Sequence, residues 1–149
     1  MKNFILKNND SSDFNFYDYQ GDSNLLIVFF RGAWCNHCKK QLVEINNVLT
    51  ELTSLKTKVI AVSSDTAFKS SLLKTFLKLP FPVLSDNSFE VINYFNLKTT
   101  YKEHEVAKPA VFLISPSHEI IYQYIGADFD DRIDTRTILN NIKQLNEKL

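Results

Sequence analysis

The stretch Leu25-Leu26-Ile27-Val28-Phe29-Phe30-Arg31-Gly32-Ala33-Trp34-Cys35-Asn36-His37-Cys38-Lys39-Lys40-Gln41-Leu42 decides the reading of this chain. It opens with an unbroken apolar run, Leu25 to Phe30, rich in branched and aromatic residues. A run this short reads as a buried strand. Gly32 marks a turn. Cys35 and Cys38, the only two cysteines, come next, followed by apolar residues at Leu42, Ile45, Leu49 and Leu52. That spacing predicts an amphipathic helix from Asn36 to about Thr53. The Cys-x-x-Cys pair therefore falls where a strand ends and a helix begins.

That place has a chemical consequence. The first backbone N–H groups of a helix have no partner within it. With the helix dipole they favour negative charge, and the thiolate is the reactive form of cysteine. Cys35 is expected at the helix N-terminus. Cys38 lies about one turn further in, within reach for a disulfide that opens and closes.

Working outward, Phe4-Ile5-Leu6 reads as a short edge strand, and Phe14, Phe16, Tyr17 and Tyr19 as cover for one end of the core. Gly21-Asp22-Ser23-Asn24 signals a turn before the main strand. Downstream, Val59 to Ser63 reads as a second buried strand, and Ser64-Asp65-Thr66 as its exit and a helix cap. The next helix carries Phe68, Leu72, Phe76 and Leu77 and stops before Pro80. Ser88 to Phe95 reads as a short helix, and the polar, charge-mixed residues 96–108, including His104, as a mobile loop. Pro109 opens a third buried strand, Ala110 to Ile114, which returns through Ser115–Glu119 as a fourth, Ile120 to Ile125. Asp134 is placed to cap a last helix with Ile138, Ile142, Leu145 and Leu149 on one face.

Composition narrows the classes. The chain has 149 residues, 44% hydrophobic, with 12 Phe and zero formal net charge. One globular domain, residues 1–149, is the expectation. Zero net charge argues against binding nucleic acid through phosphate neutralisation. No run reaches the roughly 20 apolar residues of a membrane span, and the N-terminal apolar run is too short for a signal peptide. A cytoplasmic location without membrane attachment is expected. In a reducing compartment a lone cysteine pair is more often catalytic or metal-binding than a staple.

The Trp-Cys-x-x-Cys after a buried strand resembles the thioredoxin superfamily. The wider Phe29-to-Leu42 stretch is similar to its peroxiredoxin-like branch, the AhpC/TSA family, as is the segment Phe81-Pro82-Val83-Leu84-Ser85-Asp86. The resemblance spans roughly residues 20–149. It implies an α/β, thioredoxin-like fold with a central mixed β-sheet flanked by helices, a parallel βαβ half followed by an antiparallel ββα half. It also implies a thiol–disulfide oxidoreductase with Cys35 and Cys38 as the redox pair. Its partners would be a disulfide-bearing protein or small molecule, or hydroperoxides, and a thiol electron donor; no cofactor is implied. Pro109 resembles the cis-proline that faces the cysteines in these folds, with the backbone of Lys108 offered to an extended substrate. Trp34 is read as a platform beside the cysteines, and His37 as a group favouring the Cys35 thiolate. In the thioredoxin-like reading Cys35 is the more exposed, attacking thiol and Cys38 resolves.

Two departures keep alternatives open. Peroxiredoxins carry Pro-x-x-x-Thr-x-x-Cys. Laid on Cys38, that motif meets Arg31 at the proline and Cys35 at the threonine. The arginine they place at the later strand is Pro109 here, so Arg31 substitutes only where its loop brings it round. The buried aspartate of thioredoxins is Phe29. The groups that polarise a peroxide are thus absent from their usual places, which sets a thiol peroxidase, with Cys38 or Cys35 as peroxidatic thiol, as the first alternative behind the disulfide-exchange reading. The second is a non-enzymatic redox-sensing or metal-binding module. Structural zinc takes four ligands, and His37, His104, His118 or carboxylates would have to complete the set. The loop of Asp128, Asp130, Asp131 and Arg132 resembles a comparable Asp/Arg segment of the peroxiredoxin-like branch; local ion pairing is the expectation, with no catalytic role.

Overall fold

The computed structural model describes residues 1–8, 12–128 and 130–147. Along the chain run β1 (Ile5–Lys7), β2 (Asp13–Asn15), α1 (Phe16–Gln20), β3 (Asn24–Phe29), α2 (Asn36–Asn47), α3 (Leu49–Ser54), β4 (Thr57–Ser63) and α4 (Ala67–Leu77). Then come β5 (Val83–Ser85), α5 (Glu90–Tyr94), β6 (Lys98–Tyr101), β7 (His104–Ala107), β8 (Ala110–Ile114), β9 (Ile120–Ile125) and α6 (Thr135–Glu147). The central sheet has the order β5-β4-β3-β8-β9. β3 pairs parallel with β4 and antiparallel with β8, so the sheet is mixed as expected.

β3 lies at the middle of this sheet, which explains its unbroken apolar run. Successive side chains of a strand point to opposite faces, and both faces here are covered. Leu26, Val28 and Phe30 pack with Leu42, Ile45, Ile138 and Ile142 from α2 and α6. Leu25, Ile27 and Phe29 pack with Phe4, Phe16, Val91 and Phe95 on the other side. Both cysteines belong to the first of these layers. Asp134 accepts from the Thr137 N–H at 2.9 Å, so the last helix begins where its cap was expected.

Five sequence expectations change. The helix from Asn36 breaks at Val48 into α2 and α3. β1 pairs with β2 in a separate two-stranded ladder and not along the central sheet. Residues 98–107 form a hairpin instead of a loop, its Thr99 and Val106 in register. The α4 face Phe68, Leu72 and Phe76 points outward, at 71%, 54% and 78% exposure, while Ser70 and Leu73 face the sheet. Two stripes on that helix have helical spacing, and spacing alone does not say which is inward. The fifth change is at Lys108–Pro109, which is trans; the described residues contain no cis peptide bond. The chain passes from β7 to β8 in extended form, with the Lys108 N–H donating to the Leu97 carbonyl at 2.8 Å. That continuation needs no cis bond, and trans is the lower-energy isomer. Leu149 lies outside the described residues.

Candidate active site

Beyond Phe29 the chain must turn from the sheet into α2. The Cys35 N–H donates to the Gly32 carbonyl at 3.1 Å, closing the turn. A β-carbon at Gly32 would run into the Trp34 indole, so the glycine is what lets the indole lie over the turn. The Ala33 N–H donates to Asp65 Oδ2 at 2.7 Å, tying the turn to the end of β4. Burial pushes the Asp65 carboxyl above its ordinary pKa, opposed by the Ala33 N–H and by Lys69.

Cys35 is the N-cap of α2, with extended backbone, and its Sγ accepts from the Cys38 N–H at 3.2 Å. The two cysteines are joined as a disulfide, with Cα atoms 5.2 Å apart. Both are buried, Cys35 at 1% exposure and Cys38 at 0%. This corrects the expectation that Cys35 is the more exposed. The reason is that two guanidinium groups lie against the sulfurs.

Arg31 Nη2 donates to Cys35 Sγ at 3.3 Å, and the Arg31 backbone N–H donates to Cys38 Sγ at 3.4 Å. The guanidinium lies 4.7 Å from the Trp34 ring and 4.4 Å from the Tyr101 ring, and the two rings are themselves stacked at 5.3 Å. Arg132 Nη2 donates to Cys38 Sγ at 2.9 Å and to Cys35 Sγ at 3.5 Å. Burial lowers the Arg132 pKa, with the positive charge of Arg31 adding to the effect; Asp130, Asp128 and Asp131 act in the other direction.

A shaped loop carries Arg132. Asp131 accepts from the Tyr124 hydroxyl at 2.5 Å and from the Ala127 N–H at 2.8 Å. These two donors, the Ala127 N–H first, hold its carboxyl below the ordinary pKa. The Gly126 N–H donates to the Pro109 carbonyl at 2.8 Å, and a β-carbon at Gly126 would meet the Asp131 carbonyl. The glycine therefore lets the loop fold back toward the cysteines.

The other expected site residues are dispersed around this centre. Trp34 is 47% exposed and walls a cavity of about 530 Å³ that Arg31 and Tyr101 also line. His37 is at the α2 N-terminus, and its Nε2 pairs with Asp130 Oδ1 at 2.9 Å. Lys108 and Pro109 line a second cavity of about 210 Å³ that reaches Arg31 from the other side. The Lys108 N–H is engaged within the fold.

Arg132 is the candidate site residue to which the sequence reading assigns no role. It is 94 residues from Cys38, and only the fold brings them together. The available signals are a single arginine in an acidic loop just after a strand-ending glycine, and the likeness of that loop to an Asp/Arg segment of the peroxiredoxin-like branch. Among the described residues no three His, Cys, Asp or Glu side chains converge as a metal site, and no helix is long and apolar enough to cross a membrane.

A sequence model described as the AhpC/TSA family matches residues 1–123. The thiol-disulfide oxidoreductase ResA of Bacillus thuringiensis subsp. konkukian is 22% identical over 135 residues, covering 89% of this chain and 71% of the relative. The putative peroxiredoxin Rv2521 of Mycobacterium tuberculosis is 28% identical over 89 residues, 60% of this chain and 56% of its own. Among solved structures, the peroxidoxin BcpB of Mycobacterium tuberculosis superposes with TM-score 0.85 at 15% identity, covering 97% of this chain and 94% of that one. Mycobacterium tuberculosis AhpC superposes with TM-score 0.84 at 18% identity, covering 99% and 90%. These likenesses bear out the thioredoxin-like architecture.

Proposed function

Because the chain belongs to the AhpC/TSA family and its two cysteines are already bonded beneath two guanidinium groups, we propose that it is a thiol–disulfide oxidoreductase in which Cys35 attacks and Cys38 resolves. The observation that carries this reading is the place of Cys35 Sγ as the cap at the N-terminus of α2, among hydrogen-bond donors. Cys35 Sγ faces three: the Cys38 N–H, Arg31 Nη2 and Arg132 Nη2. Cys38 Sγ faces the Arg31 N–H and Arg132 Nη2. Hydrogen bonds and positive charge on a sulfur favour its thiolate.

In the reduced protein the Cys35 thiolate attacks one sulfur of a substrate disulfide. The substrate S–S bond breaks, and its other sulfur leaves as a thiolate that takes up a proton. Cys38, losing its own proton, then attacks Cys35 Sγ and releases the second substrate thiolate. The dithiol loses two electrons and the substrate gains them. A thiol donor reverses the sequence. Trp34, Lys108 and Pro109 flank the approach to Arg31 and are assigned to substrate contact. His37 joins α2 to the Arg132 loop through Asp130. The substrate is a disulfide-bearing protein or small molecule, and the compartment is the cytoplasm, where thiol donors keep the pair cycling.

The test is trapping. Cys38→Ser is expected to hold a disulfide substrate as a long-lived mixed disulfide through Cys35, seen by mass spectrometry, and Cys35→Ser to trap little. Rapid reaction of Cys35→Ser with peroxide, leaving a sulfenic acid on Cys38, replaces this reading with the peroxidase one. Stoichiometric zinc that blocks thiol labelling, with no turnover, replaces it with a metal-binding module.

A further inference from the structure

Trp34 is only one wall of the cavity of about 530 Å³ beside Arg31, and the exchange step leaves its other walls without a role. Resting on the oxidoreductase reading, we propose that the cavity binds the small electron donor, a low-molecular-weight thiol carrying carboxylate, with Lys102 as the charge that selects it.

Three observations lead there. The first is position and size. Arg31 both lines the cavity and touches Cys35 Sγ, so a molecule held there is one side chain away from the buried sulfurs and reaches Cys35 where the Arg31 guanidinium gives way. The volume falls within the ~300–1,000 Å³ of small-molecule sites. Two aromatic faces, Trp34 and Tyr101, form part of the wall.

The second is the charge balance. The lining cations are Arg31, Lys69 and Lys102, with His104 beside them; the lining anions are Asp65 and Glu105. Both anions are engaged. Asp65 takes the Ala33 N–H and feels Lys69, and Glu105 pairs with Lys98 at 3.1 Å, which does not line the cavity. Arg31 is committed to the rings and to Cys35. Among the described residues Lys102 forms no ion pair. The charge left to meet a ligand is positive.

The third is backbone strain that presents Lys102. The β6–β7 hairpin turns on Lys102 and Glu103, with φ of 46° and 68°. Two-residue turns with both central residues left-handed favour Asn-Gly or Asp-Gly. Holding a lysine and a glutamate there costs energy that a glycine would not, and it places Lys102 at the rim of the cavity. There its Nζ lies 5.4 Å from the centre of the Tyr101 ring, so the lysine stands against the aromatic wall of the cavity.

The step balances with two equivalents of donor. The first thiolate attacks Cys35 Sγ; the Cys35–Cys38 bond breaks, and its electron pair passes to Cys38 Sγ, where Arg132 holds the thiolate. The second donor thiolate attacks the donor sulfur of the mixed disulfide. The donor disulfide leaves, Cys35 departs as thiolate, and the protons of the two donor thiols pass to solvent or to the cysteines.

The experiment follows reduction of the oxidised protein through the fluorescence of Trp34, the only tryptophan. The probes are 3-mercaptopropionate, 2-mercaptoethanol and cysteamine, with rates corrected for thiolate fraction. The anionic thiol is expected to react about tenfold faster than the neutral one at low salt, and the preference to shrink with added salt. Lys102→Glu should lower the ratio of anionic to cationic rates and invert it, and Lys102→Arg should keep it. Equal rates for the three thiols, or a ratio that Lys102→Glu leaves unchanged, overturns the proposal while leaving the oxidoreductase reading intact. No reduction by any of the three overturns both.

Discussion

Two arms bring positive charge to the same pair of sulfurs, and they are built on opposite principles. Arg31 comes from the turn after β3, four residues before Cys35, and is held by the faces of Trp34 and Tyr101. Arg132 comes from the far end of the chain on a loop held by carboxylates, with Asp131 taking the Tyr124 hydroxyl and the Ala127 N–H. The guanidinium of the first arm is fixed by packing and that of the second by ionised hydrogen bonds. Each arm also rests on a carboxylate, Asp65 under the first turn and Asp131 in the second loop, and these are displaced from the ordinary pKa in opposite directions. The fold thus divides one electrostatic task between two arms whose anchors respond to pH with opposite sign.

The largest expected effect comes from cutting the second arm at its end. Arg132 makes the shortest contact with either sulfur, 2.9 Å to Cys38. A hydrogen bond to a charged group is worth about 1.5–3 kcal/mol, so Arg132→Met should slow reduction of the disulfide by roughly 10- to 100-fold. Arg132→Lys should recover part of that rate, because it keeps the charge but not the planar fork. Stopped-flow reduction by a neutral thiol measures it. A rate within about twofold of wild type for Arg132→Met would mean that Arg31 carries the site alone.

A smaller effect is expected from loosening the first arm without removing its charge. Tyr101 contributes one of the two ring faces against Arg31, an interaction of about 1 kcal/mol in a partly desolvated setting. Tyr101→Ala should therefore slow the same step by roughly fivefold. Trp34→Phe keeps a ring face and should do less. If Tyr101→Ala slows the reaction as much as Arg132→Met, the two arms do not differ as described.

The same contrast governs how much of the site could be read from the sequence. The Arg31 arm is local. A six-residue apolar run, a glycine turn and Cys-x-x-Cys at a helix start lie within one stretch, and each constrains the next. The central sheet follows from the same logic, since β3, β4 and β8 are short apolar runs that only a doubly covered sheet can bury. The Arg132 arm is not local. No periodicity links Arg132 to Cys38; their meeting depends on Gly126 allowing the loop to fold back and on Asp131 fixing it there. The α4 surface was misread because both of its stripes have helical spacing. The β6–β7 hairpin was misread because its turn uses Lys102 and Glu103 in place of glycine and asparagine. The cis bond expected at Pro109 rests on resemblance alone, with no residue pattern that requires it; the trans bond leaves the architecture unchanged.

The smallest expected effect separates the arms by the sign of their pH dependence. Asp65 anchors the turn of the first arm, and its carboxyl lies above the ordinary pKa because of burial. Asp131 anchors the loop of the second, and its carboxyl lies below because of the Ala127 N–H and Tyr124 hydroxyl. For Asp131, folding favours the charged form. Its stabilisation is complete above the unfolded value of about 3.9 and is lost as pH falls through the lower folded value. For Asp65, folding favours the neutral acid. Stability falls as pH rises from about 3.9 through the higher folded value, so at neutral pH the charge is a cost. Asp65→Asn keeps an oxygen to accept the Ala33 N–H and removes that cost, whereas Asp131→Asn removes the charge that the loop was built around. Urea midpoints of the three oxidised proteins between pH 3 and pH 7 read the difference. On acidification the margin of wild type over Asp131→Asn should shrink, and the standing of wild type relative to Asp65→Asn should improve. Slopes of the same sign for both variants would show that the two carboxylates serve the site alike, and that the two arms do not respond to pH with opposite sign.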